Sequence, residues 1–288
     1  MSKTYSETTL PSGLRVIHER SVSSVVYCGY IVKAGTRHED PADSGMAHFI
    51  EHLSFKGTER RRAHHITNGL ERVGGDLNAF TNKQETVYCA TVLKQDFGRA
   101  ADLLTDIVFH STYPQNEINR EVEVICDEID SYRDSPSELI FDEFESMLFE
   151  NNGLGRDILG QPERLRTYTT ADARRFTDKY YRPENAVFYV YGDVDFKTIV
   201  RTLNRYLPAS GETAIFPDSI GATPAVVREE RERVVQRDTH QAHVLVGMQT
   251  FGGNDLRRFP MLLLNNMLGG PGMNSRLNMS LRERAGLV

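Results

Sequence analysis

Gly45-Met46-Ala47-His48-Phe49-Ile50-Glu51-His52 puts two histidines and a carboxylate among apolar residues within one short helical repeat. Asp43 and Ser44 just before it are residue types that cap helices, and Lys56-Gly57 just after Phe55 is a stop signal, so the expected helix runs from about 43 to 55. On such a helix His48 and His52 are one turn apart on one face, about 6 Å along the axis, and their imidazoles can converge on one ion. Zinc accepts histidine nitrogen at ~2.0–2.1 Å. Glu51 falls on the same side, within reach of a water on that metal, as a general base. The order His-x-x-Glu-His is the inverted zincin pattern, and at this composition chance supplies only about 0.02 such matches per chain.

A zinc site needs a third protein ligand. The apolar stripe Ile118, Val122, Ile125 and Ile129 predicts a helix over 116–134, and beside that stripe lie Glu121 and Glu128 on one face. Seven residues apart, they are about 10.5 Å apart along the axis, too far to share one zinc on an undistorted helix. The natural division is one ligand and one carboxylate that orients a ligating histidine. Spacing alone leaves open an acidic solvated face.

Outward from these helices the chain mixes strand and helix signals. Strands are expected at Leu14–His18, Val25–Val32, 76–81, Glu85–Leu93 and Ala186–Tyr191, and helices near 63–73, 96–110, Ser137–Glu150, from a cap at Thr170 to Tyr180, and after a cap at Asp195. Without regular βαβ spacing the class is α+β. Residues 208–224 hold three prolines, two glycines and two serines with little periodicity, which marks 208–225 as a linker between a first domain, 1–207, and the start of a second, 226–288. In that second part Val234–Arg237 and His243–Met248 read as strands and Leu256–Leu268 as a helix.

Composition narrows the function classes. The chain has 288 residues, 39% hydrophobic and 26% charged, with a net charge of -6, which argues against non-specific nucleic-acid binding. No apolar run approaches the ~20 residues of a membrane span. The start turns polar at once, and the 3 cysteines, Cys28, Cys89 and Cys126, are isolated, which points to a reducing, cytoplasmic setting.

The patterns, in order, resemble the pitrilysin and mitochondrial processing peptidase family of inverzincins, particularly its single-chain bacterial members. They are Leu14-Arg15-Val16, Gly35-Thr36-Arg37, Gly45–His52, Phe55-Lys56-Gly57-Thr58, Gly74–Thr81, Arg120-Glu121-Val122, Asp127-Glu128-Ile129, Leu154–Gly160 and Leu268–Leu277. The resemblance implies repeated two-layer sheet-and-helix domains of the clam-shell type, the first complete and the second partial. It implies one Zn²⁺ per chain on His48, His52 and Glu128, a zinc-bound water activated by Glu51, and a supporting catalytic role for Glu121. It makes Asn78, Ala79 and Phe80 part of an edge strand that binds an extended peptide. It matches Arg282 to an arginine that contacts the substrate carbonyl, followed in the family by a tyrosine one position beyond Val288. The expected activity is that of a zinc-dependent endopeptidase on peptides or unfolded segments, with a homodimer or a heterodimer with a related subunit in a longer form. The rival is a non-catalytic structural or substrate-binding subunit of the same family.

Overall fold

The computed structural model describes residues 5–207, 231–237 and 240–288, so the expected linker, 208–225, lies outside the described residues. The described part divides into two compact units, one of 5–207 with 231–237 and 240–245, the other of 246–288.

The first unit is built on one six-stranded sheet. Its strands are β1 (Ser6–Thr9), β2 (Arg15–Glu19), β3 (Val25–Val32), β4 (Asp76–Thr81), β5 (Thr86–Leu93) and β6 (Ala186–Tyr191), in the spatial order β1-β2-β6-β3-β5-β4. All pairings are antiparallel except β2 with β6, so this is a mixed sheet with β1 and β4 at its two edges. Strand alternation gives the sheet one packed face, where Tyr30, Tyr88 and Phe188 are fully buried, and one wetter face, where the Tyr27 and Tyr191 rings lie 6.3 Å apart at a tilt of 38°.

Two helices close over the packed face: α1 (Met46–Ser54) touches β4 and β5, and α3 (Phe97–Phe109) touches β3 and β5, while α2 (Ala63–Glu71) lies between them in sequence. The contacts are specific as well as apolar. Tyr30 Oη meets Thr105 Oγ1 at 2.8 Å, and Ser54 Oγ meets Tyr88 Oη at 3.0 Å. Then follow α4 (Gln115–Arg133), α5 (Pro136–Leu148), the short α6 (Pro162–Leu165), α7 (Thr170–Tyr180) and α8 (Phe196–Tyr206). The stripe Ile118, Val122, Ile125 and Ile129 is buried as its spacing predicts, at ~1.5–3 kcal/mol for each side chain removed from water.

Two local expectations need correcting, and one strand falls where no element is expected: β1 pairs with β2, with Arg15 bonded to Glu7 (2.9 Å). The cap of α7 is Thr169, in a reciprocal capping box with Asp172, one residue before Thr170. And α1 is not capped by Asp43 or Ser44. Its cap position is Gly45, at φ +82°, and the buried Glu39 carboxylate reaches in from the preceding loop to accept the Gly45 N–H (3.0 Å) and the Ala47 N–H (2.8 Å). Glycine is required here. A side chain on Gly45 would strike Gly160 Cα at 2.8 Å, and one on Gly160, itself at φ +79°, would strike Gly45 Cα at 2.6 Å.

The second unit, taken by itself, contains α9 (Arg258–Gly269) and a helical segment Asn278–Arg284. The helix expected at Leu256–Leu268 is therefore present. The strands expected at Val234–Arg237 and His243–Met248 are not. Those residues form no ladder among the described residues, and Val234, Val244 and Val246 are exposed. Their β-branched composition suits a strand, but a strand exists only against a neighbour, and the described residues offer none there.

Candidate metal and peptidase centre

The centre lies where α1 crosses α4, next to the sheet edge at β4. From α1 come His48, Glu51 and His52. His48 and Glu51 are buried and His52 is half-buried. The rings of His48 and His52 stand 4.5 Å apart at 64°. From α4 comes Glu128, whose Oε2 is 3.6 Å from His52 Nε2 and 3.9 Å from His48 Nε2. One ligand atom from each of the three lies within 4.8 Å of the others.

These separations are too long for hydrogen bonds. They are close to the roughly 3.3 Å between two ligand atoms that share a tetrahedral ion at ~2 Å from each. The chemistry of the donors agrees: two neutral imidazoles and a carboxylate suit zinc. Burial first, and then the neighbouring His52, pushes His48 down to about 3, so it is held as the neutral base a metal requires. The residues present therefore fit a zinc ion.

Glu121 has a different setting. Its Oε1 is 2.9 Å from His52 Nδ1, and its Oε2 accepts from Lys56 Nζ at 2.6 Å. Burial works to raise its pKa, but the bonds from His52 and Lys56 outweigh it, and the carboxyl sits below the usual range. Held ionised, it orders the His52 ring by accepting from Nδ1, which leaves Nε2 with its lone pair towards Glu128. Glu128 thus lies near both imidazoles and Glu121 behind His52.

Glu51 is buried, and burial raises its pKa, opposed by a hydrogen bond from Thr81 Oγ1 to Oε2 at 2.6 Å. Thr81 is the last residue of β4. Of the residues expected on that strand, Ala79 lies on the packed face with Thr81, while Asn78 and Phe80 point to the other face and are exposed. One side of β4 pairs with β5 and the other is open. The Asn78 side-chain carbonyl accepts the Ala79 N–H at 2.8 Å. Arg282 lies in the second unit, exposed, in the helical segment Asn278–Arg284.

Sequence reasoning passed over three supporting residues. In the sequence Lys56 reads as a helix stop within the Phe55–Thr58 pattern and Thr81 as the end of a strand, with no role at the centre assigned to either. Glu39 was not singled out. The signal for Thr81 was present: a hydroxyl ending a strand in the same sheet that packs against the histidine helix.

The model of the insulinase family, peptidase family M16, matches residues 15–162, and a second model, described as the peptidase M16 inactive domain, matches residues 167–288.

The chain belongs to peptidase family M16.

Among M16 relatives, an uncharacterized zinc protease of Streptomyces coelicolor is 38% identical over 99% of this chain and 63% of its own length. The uncharacterized zinc protease YmxG of Bacillus subtilis is 34% identical over 97% of this chain and 67% of its own length. The chain thus spans about two thirds of these relatives. A protease from Helicobacter pylori superposes with a TM-score of 0.88 at 21% identity, over 98% of this chain and 69% of that one, and shows the same fold. The periplasmic protease PqqL of Escherichia coli superposes with a TM-score of 0.67 at 25% identity, over 75% of this chain and 25% of that one. Among the described residues no helix is long and apolar enough to cross a membrane.

Proposed function

We propose that this chain carries the zinc half of an M16 endopeptidase acting on peptides or unfolded polypeptide segments. His48, His52 and Glu128 hold one zinc ion. The observation that carries this reading is the convergence of one nitrogen from each of two imidazoles and one carboxylate oxygen within 4.8 Å, beside the buried Glu51 carboxylate. The bound ion supplies a Lewis acid and makes water acidic enough to ionise near neutral pH. Glu51 takes the proton of the attacking water and passes it to the leaving amine. Burial raises its pKa and so favours the protonated form, while the hydrogen bond from Thr81 supports the ionised form.

The open side of β4 suits an extended peptide added as a further strand, with Asn78, Ala79 and Phe80 along the contact. Backbone pairing there is indifferent to side chain, so sequence preference is loose. Where a longer form dimerises, the partner subunit would bring the arginine at position 282 to the substrate carbonyl. Arg282→Ala should then cost ~10²–10³ in turnover, as loss of an oxyanion donor does. Three unpaired cysteines fit a cytoplasmic setting.

The test is zinc content together with cleavage of a quenched peptide. His52→Ala loses most of its zinc. Glu51→Gln keeps zinc and loses cleavage by ~10²–10⁴-fold, the usual contribution of a general base. Near wild-type turnover in zinc-loaded Glu51→Gln, or unchanged zinc in His52→Ala, overturns the reading.

A further inference from the structure

A hydroxyl of the sheet bonds to the proposed general base, and it belongs to the proposed peptide-binding strand. Thr81 Oγ1 donates to Glu51 Oε2 at 2.6 Å. Its other polar neighbour is Thr86 Oγ1, at 3.3 Å across the β4–β5 pairing, and Thr86 in turn donates its own hydrogen to the Ala34 carbonyl at 2.7 Å. A threonine hydroxyl carries one hydrogen. With the Thr86 hydrogen committed to Ala34, the Thr81 hydrogen goes to the stronger acceptor, the carboxylate. Thr86 is fully buried on the central side of the edge strand, so the Thr81 hydroxyl is backed by a fixed group.

We propose that Thr81 is the positioning residue of the base: its hydroxyl pins one oxygen of Glu51, leaving the other for the water proton, and so ties the base to the strand on which the peptide lies. This rests on the peptidase reading above. A carboxylate on a helix could reach the water without any contact to the sheet. The bond to Thr81 makes the position of the base a property of β4, so the scissile bond and the base are registered to one backbone. Positioning of this kind is expensive to lose, since a displacement of ~1 Å can cost about 10²-fold in rate.

The test compares Thr81→Val, which keeps the shape and removes the hydroxyl, with Thr81→Ser, which restores the hydroxyl. The first readout needs no turnover. In metal-free chain labelled with ¹³C at glutamate Cδ, the Glu51 resonance, assigned by its loss in Glu51→Gln, shifts in Thr81→Val and returns in Thr81→Ser. The second readout is cleavage of the quenched peptide at matched zinc occupancy. Thr81→Val should lose ~10–100-fold in kcat with KM within about 2-fold, Thr81→Ser should recover most of it, and Thr81→Val should cost nothing further in the Glu51→Gln background. An unmoved Glu51 resonance, full kcat in Thr81→Val, an effect confined to KM, or loss of zinc in Thr81→Val overturns the proposal. Should the chain cleave nothing, the resonance alone decides. Failure of the peptidase reading looks different: Glu51→Gln then cleaves as fast as wild type, whereas failure of this proposal leaves Glu51→Gln inactive and Thr81→Val active.

Discussion

Two turns of one helix, α4, carry the same side chain into opposite circumstances. Around Glu121 the helix is pressed between Lys56 and His52, and the carboxylate is buried with both oxygens occupied. Two turns later, Glu128 is 40% exposed at its side chain and has no such clasp, only two imidazole nitrogens at 3.6 and 3.9 Å. Both positions share one face, as the seven-residue spacing requires. What differs is how deep that face sits at each turn. A carboxylate meant to hold a ring in place is best kept dry and saturated with hydrogen bonds. One meant to meet an ion and a substrate has to be left open.

The strongest way to break this comparison is at the open turn. Glu128→Gln should lower zinc affinity by more than the ~100-fold upper end for groups behind a ligand, because two imidazoles hold a divalent ion poorly. Competition titration against a chelator checks it. At the closed turn, Glu121→Gln should cost ~10–100-fold in affinity, since the amide still reaches His52 but carries no charge. Complete zinc loss in Glu121→Gln with Glu128→Gln unaffected would reverse the two roles.

Acid is a gentler probe of the same crossing. A histidine whose folded pKa is lowered is bound in its neutral form, so its contribution to stability is full above the unfolded value of ~6.5 and is lost as the pH falls towards its folded value of about 3. Metal-free chain should therefore soften in urea as the pH drops below ~6.5, and His48→Asn should lessen that slope. If the slope is the same in His48→Asn, other groups govern the acid limb. A further effect is expected from Lys56→Met. It leaves the buried Glu121 carboxylate one donor short, which should cost ~1–3 kcal/mol, read as a shift in the urea midpoint. A larger loss would mean that the cation, more than His52, keeps Glu121 ionised.

The parts of this arrangement that sequence reveals are those fixed by period. His48 and His52 one turn apart, Glu121 and Glu128 two turns apart, and the stripe from Ile118 to Ile129 all follow from 3.6 residues per turn, and each is realised. β3 and β6 were legible because alternation and β-branching coincide there. What stayed hidden depends on contacts between distant segments. Glu39 caps α1 from outside the helix, with Arg156 bonded to its backbone carbonyl, and no local rule identifies it in preference to Asp43 or Ser44. Thr81 meets Glu51 only because β4 ends beside α1. At 234–248 the residue types were right for strands, and the missing ingredient was a neighbouring strand, which residue type does not report.

The paired glycines at the head of α1 bear on the order in which this protein assembles. A nine-residue helix is below the length that holds itself together in water, so α1 depends on its surroundings. At its start those surroundings come from far along the chain: Gly160 against Gly45, Arg164 bonded to the Ala42 carbonyl at 2.6 Å, and Tyr168 to the Ser44 carbonyl at 2.9 Å. In the order of synthesis, His48 and His52 precede by more than a hundred residues the segments that pack against the head of their helix. Closing so long a loop is slow. The last supports of the helix that carries the two histidines therefore arrive late in the synthesis of the first unit, after the strands and the helix that flank it.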